Sequence, residues 1–196
     1  MDEFNSLGIL PVGEKDMFTG APSFSLRNRL ERAAFGVVWA LLARWTPPQM
    51  SRWRNLILRM CGAKLHPSAK IYASVRIWHP RHLTMGAQSI IGPYANVYDM
   101  APITIGNRVV VSQGAHLCAG THAFRDPSFR LQALPITLQD GVWIATEAFV
   151  GPGVTIEKDA VLGARAVTTK DLGPNSVNVG NPARVVGSRY QNRPIA

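Results

Sequence analysis

The chain has 196 residues, of which 46% are hydrophobic and 17% charged, a balance that excludes disorder for most of its length and allows one sizeable domain. Lys and Arg outnumber Asp and Glu by 21 to 12, a formal net charge of +9, so an anionic partner is expected. The two cysteines, Cys61 and Cys118, form no CxxC pair, which argues against a zinc ribbon or a disulfide framework and suits a reducing compartment.

In chain order, residues 1–23 read as a loose Gly, Pro and Ser-rich tail. The opening MDEFNSLGIL lacks the basic start of a secretory signal, so a cytoplasmic protein is expected. Residues 24–62 form an arginine-rich helical region: LRNRLERAAFGVVWALLARW predicts one helix, Pro47-Pro48 breaks it, and QMSRWRNLILRM predicts a second. Its longest uncharged apolar run, Ala33–Ala43, is 11 residues, against the roughly 20 that a spanning helix needs. Between Arg27 and Arg59 stand seven arginines and one acid, which supply six of the nine net charges. Residues 26–60 therefore read either as a hairpin touching an anionic membrane from its cytoplasmic side, or as a cap whose apolar face covers the next domain or a neighbouring subunit.

From residue 63 to 187 the texture changes. Aliphatic residues recur every six positions: Leu65, Ile71, Ile77; Met85, Ile91, Val97; Ile105, Val111, Leu117; then Leu138, Ile144, Val150, Ile156, Leu162. Four places after each stands a small or β-branched residue, Arg81 excepted. Large then small is what a narrow, three-sided parallel β-helix requires, because the large side chain fills the prism and the small one lets the chain turn beside it. Gly86, Gly92, Gly106, Gly151 and Gly163 fit as turn glycines. The six-residue step breaks after Ile77, Val97 and Leu117, each time after three hexads, so all the extra residues leave at one corner. The longest excursion, residues 123–137, predicts a projecting loop, and residues 188–196 a tail.

Candidate chemistry gathers at that corner. His122 ends its coil where the loop departs, Asp99 stacks beneath Ala119 in the coil below, and Trp143 holds the hexad position of His122 just after the loop. A histidine, a carboxylate and an aromatic beneath a projecting arm suit general-base chemistry. His66, His79, His82 and His116 lack metal-ligand spacing, and no metal is expected. Cys118 reads as a small turn residue. The concentration of charge in the helices, with no accompanying motif, argues against a nucleic-acid partner.

The stretches ITIGNRVVVSQGAHLCAGTHAF and ALPITLQDGVWIATEAFVGPGVTIEKDAVLGARAVTTKDLGPNSVNVGNPARVVG resemble the hexapeptide-repeat acetyltransferases of the maltose/galactoside and exopolysaccharide type. The helices NRLERAAFGVVWALLARWTP and WRNLILRMCGAKL are similar to those of the colanic-acid branch. The resemblance implies a left-handed parallel β-helix, a homotrimer, and acetyl-CoA-dependent O-acetylation of a sugar or glycan hydroxyl in cell-surface polysaccharide synthesis. It implies His122 as general base, aided by Asp99, and cofactor contacts at Trp143, Thr146, Ala164, Thr169, Lys170 and Arg184. Thr146 and Ala164 are 18 apart and so stack on successive coils, leaving a groove for a slender ligand. Arg165 departs from the family pattern, either crowding pantetheine or adding a phosphate contact. Two other readings share the fold: a γ-class carbonic anhydrase-like zinc enzyme, and an inactive scaffold docking to a membrane or partner.

Overall fold

The computed structural model describes residues 23–190; most of the expected N-terminal tail, and residues 191–196 of the C-terminal one, lie outside the described residues. Helix α1, Leu26–Leu42, starts at Ser25, whose hydroxyl accepts the Asn28 N–H at 3.3 Å, as an N-cap residue should. A single 3-10 turn, Pro48–Met50, leads into α2, Ser51–Met60. α1 buries Asn28, Phe35 and Trp39, while α2 buries Arg54, Asn55, Ile57 and Leu58.

Three parallel sheets of two- to four-residue strands follow. The first face stacks β1 (Lys64–Leu65), β4 (Leu83–Met85), β7 (Ile103–Ile105), β12 (Ile136–Leu138) and β15 (Thr155–Ile156). The second stacks β2 (Lys70–Ile71), β5 (Ile90–Ile91), β8 (Val110–Val111), β13 (Trp143–Ile144), β16 (Val161–Leu162) and β18 (Ser176–Val179), and antiparallel β19 (Arg184–Ser188) closes it. The third stacks β3 (Arg76–Ile77), β6 (Asn96–Tyr98), β9 (His116–Cys118), β14 (Phe149–Val150) and β17 (Val167–Thr168).

The registers reproduce the hexad columns. Leu65, Met85, Ile105, Leu138 and Ile156 align on the first face, and Ile71, Ile91, Val111, Ile144 and Leu162 on the second. Ile77, Val97, Leu117, Val150 and Thr168 align on the third. All are buried except the half-buried Ile77, and the small corner residues are buried too, save Arg81 and Thr121. The prism interior is therefore a filled core rather than a pore.

The turn glycines serve a different purpose from the one expected. Positive φ falls on the third residue after the aliphatic, at Gln88, Tyr94, Arg108, Glu147, Asp159 and Arg165 as well as Gly114, Gly141 and Gly153. Gly86 and Gly106 are instead places where coils nearly touch: a Cβ would lie 2.6 Å from the Gly106 carbonyl oxygen and 2.5 Å from Asp140 Oδ1, respectively. Each glycine thus answers to inter-coil spacing, not to backbone angle.

The extra residues do leave at one corner, between the third face and the first. A 3-10 turn, Pro80–His82, fills the first break. The longest is a hairpin of β10 (Gly120–His122) and β11 (Leu131–Ala133), antiparallel. It begins earlier and ends sooner than the loop expected at 123–137, since Ile136 has already rejoined the first face opposite Ile103.

Candidate active site

His122 is the last residue of β10, half-buried at the base of the hairpin. Its Nδ1 lies 3.0 Å from the Phe129 carbonyl oxygen. A carbonyl can only accept, so Nδ1 carries the proton and donates, which leaves the Nε2 lone pair free to take one. The Phe129 ring stacks on the imidazole at 4.4 Å and 10°, fixing its plane. The hairpin tip is itself braced: Asp126 accepts from the Ser128 N–H at 2.9 Å and its hydroxyl at 2.8 Å, and pairs with Arg130 at 3.0 Å. The orienting group expected of Asp99 is thus a backbone carbonyl, which no side-chain pattern could have announced.

Asp99 lies in the coil below, as predicted, since Ala119 N–H donates to the Tyr98 carbonyl. Its side chain turns the other way. It is fully buried, its Oδ1 accepts the N–H groups of Trp78 (3.0 Å) and His79 (2.9 Å), and its Oδ2 has no partner. Burial pushes the carboxyl up to about 7 against the pull of these N–H groups. No hydrogen bond joins it to His122. Around it, His82 Nδ1–H donates to the Asp99 carbonyl oxygen (2.8 Å), the rings of His79 and His82 stack at 4.7 Å, and His79 Nε2 meets Glu31 of α1 at 3.3 Å. Burial lowers the pKa of both imidazoles. Asp99 therefore anchors the corner beneath α1.

Trp143 points outward from the second face, its indole donating to Ser112 Oγ at 3.0 Å. In a three-sided prism that face is opposite the corner carrying His122, so the expected convergence of the two within one chain does not occur. Their shared place in the six-residue count hid a step of one face. Thr146 and Ala164 do stack, as Arg165 N–H donates to the Thr146 carbonyl at 2.9 Å, on the corner between the second and third faces. Arg165 occupies the left-handed position of its turn, φ 57°, and reaches back to Glu147 at 2.6 Å. Its guanidinium is thereby held on the corner surface. Glu147 is 18 residues earlier, one coil in this part of the chain, a spacing that could have flagged the pair. Thr169, Lys170 and Arg184 line one cleft of about 340 Å³ at the end of the prism, with Asn178 and Pro182.

Among the remaining histidines, His116 meets Asn96 at 3.2 Å and packs edge-on against Phe149, and His66 contacts Ser68 at 2.8 Å. Among the described residues no three His, Cys, Asp or Glu side chains cluster as a metal site. No helix of the described residues is long and apolar enough to cross a membrane.

Stacked hexapeptide coils interrupted by a histidine-bearing hairpin define a class, the hexapeptide-repeat acyltransferase. The comparisons with known proteins narrow it. The chain is 37% identical over 174 residues to the Escherichia coli protein named colanic acid biosynthesis acetyltransferase WcaF, a match covering 89% of this chain and 96% of that one. A maltose O-acetyltransferase from Clostridium difficile superposes with a TM-score of 0.76 at 26% identity, over 85% of this chain and 90% of that one. A galactoside acetyltransferase in complex with coenzyme A gives a TM-score of 0.75 at 20% identity, over 92% of each chain. No protein-family model matches. The chain belongs to the hexapeptide-repeat acetyltransferases, with their left-handed parallel β-helix, and is an acetyltransferase.

Proposed function

We propose that the protein transfers the acetyl group of acetyl-CoA to a hydroxyl of a sugar or glycan during assembly of a cell-surface polysaccharide, with His122 as general base. The observation that carries this is the 3.0 Å approach of His122 Nδ1 to the Phe129 carbonyl; because that oxygen can only accept, the ring proton sits on Nδ1 and Nε2 is left as the basic nitrogen. Nε2 removes the acceptor proton as its oxygen attacks the thioester carbon. The tetrahedral adduct collapses with cleavage of the C–S bond, and the imidazolium returns the proton to the CoA thiolate. The thioester is already activated, so neither a metal nor a covalent enzyme intermediate is required. Asp99 contributes by fixing the corner that carries the hairpin.

The separation of His122 from the opposite face supports a site built between chains of a homotrimer, where one chain's hairpin faces the second face of its neighbour and the adjoining corner that carries Thr146 and Ala164. Trp143, Thr146 and Ala164 would flank the pantetheine there, while Thr169, Lys170 and Arg184 receive phosphates in the terminal cleft. The names of the relatives and the CoA-bound neighbour support this reading. Its test is CoA release from acetyl-CoA across a panel of sugars and glycans. Acceptor-dependent release that falls about 10²- to 10⁴-fold in His122→Ala is expected, and release undiminished in the variant overturns it.

A further inference from the structure

A cap needs one apolar face, and α1 has two. Phe35 and Trp39 are buried toward the prism, with Arg32 stacked over Trp78 at 4.1 Å. At about 100° per residue, Leu26, Leu30, Ala33, Val37 and Leu41 form a second stripe on the opposite side of the helix. Its large members are 66%, 60%, 59% and 66% exposed (Leu26, Leu30, Val37 and Leu41). The only charged residues exposed on α1 and its C-terminal extension are Arg27, Arg29 and Arg44. At the end of α1 two indoles take its last carbonyls, Trp45 donating to Leu41 and Trp53 of α2 to Leu42, both at 2.7 Å, while their rings stay exposed. Leu56 and Met60 extend the apolar surface along α2. Beside them opens a cleft of about 570 Å³ holding Arg52, Arg59, Lys70 and His66 and no acidic side chain.

We propose that this face docks on the surface of an anionic lipid bilayer, with the α1 stripe and the two tryptophans entering the interfacial layer and the flanking arginines holding headgroup phosphates. Charge decides the occupant. The one acid of the hairpin, Glu31, is already engaged by Arg27, Arg81 and His79, so a second copy laid on this face would set arginine against arginine. An anionic bilayer instead supplies apolar depth and phosphate together, and tryptophan suits its boundary. The contact lies in the membrane plane, consistent with a helix too short and too charged to span. It stands or falls independently of the acetyl acceptor, because its test involves no turnover.

The test is flotation of the full-length protein with vesicles of pure phosphatidylcholine or of equal parts phosphatidylcholine and phosphatidylglycerol. Wild type is expected to float with the anionic vesicles only, and less in about 1 M than in about 0.1 M salt, where the screening length is about 3 rather than 10 Å. The double variant Val37→Glu, Leu41→Glu should lose at least about tenfold in binding. Both side chains are exposed, so its unfolding temperature should match wild type. Arg29→Ala with Arg44→Ala, which leaves the stripe intact, should weaken binding only at low salt. Failure of wild type to bind anionic vesicles, or binding by Val37→Glu, Leu41→Glu equal to wild type, overturns the proposal. So does a fall in oligomer mass in that variant without flotation of wild type, which would assign the face to a second copy.

Discussion

Replacing Asp99 by Asn preserves shape and keeps an oxygen for the Trp78 and His79 N–H groups, but removes an ionisable group from a position with no exposure to water. The wild-type carboxyl is raised by burial from 3.8 to about 7, and a difference of that size is worth on the order of 4 kcal/mol. The sign follows from proton counting. Between about pH 4 and pH 7 the folded chain holds a proton on Asp99 that the unfolded chain has released, so stability falls as pH rises, by about 1.4 kcal/mol per unit for this group alone. Below that window the contribution is fully present, and above it the loss is complete. His79 and His82 work in the opposite sense, since burial lowers their pKa, but they are common to both proteins. Urea unfolding of wild type and Asp99→Asn from about pH 5 to pH 8 therefore isolates the carboxyl. Wild type should lose ground steadily relative to the variant up to about pH 7, then run parallel to it. A difference that stays constant across the whole range would refute the buried, proton-binding Asp99.

Two further variants separate the terminal cleft from the scaffold. Lys170→Ala and Arg184→Ala, taken singly, should each raise the KM for acetyl-CoA about tenfold, the loss of one charge-assisted phosphate contact, and leave kcat nearly unchanged; an unchanged KM would remove the cleft from the cofactor path. Arg54→Met should cost about 3 kcal/mol or more, because the buried guanidinium donates to the carbonyls of Ile71, Pro47 and Pro48 and to the Thr46 hydroxyl. A fall of about 10 °C in Tm is the expected reading in a thermal melt.

How much of this was legible in the sequence depends on what each signal encodes. The aliphatic hexads state directly which side chain points inward, so the columns from Leu65 to Ile156 and from Ile71 to Leu162 could be written down unaided. Place within a single hexad does not tell which face an outward residue joins; the hexad's order within its three-hexad coil does, and it separates Trp143, entering the second face, from His122, leaving the third. Asp99 was placed in the right coil, yet the direction of its carboxylate depends on backbone N–H groups of Trp78 and His79, which have no letter in the sequence. The Phe129 carbonyl was invisible for the same reason. The glycines mislead as turn markers: Gly86 and Gly106 obey the distance between coils, while the left-handed corners tolerate Gln88, Tyr94 and Arg165.

A stack of identical coils has no inherent reason to stop. Its first and last strands would otherwise offer open rows of hydrogen-bonding groups to any similar chain. At the N-terminal end two of those acceptors on the second face are occupied by side chains: Arg54 Nε donates to the Ile71 carbonyl at 2.7 Å and Asn55 Nδ2 to that of Ala69 at 2.6 Å. At the C-terminal end β19 folds back antiparallel onto β18, a direction in which the parallel stack does not continue. On the second face the two ends thus act as terminators of the stack. A solenoid stripped of either would have the free edge from which end-to-end polymers grow.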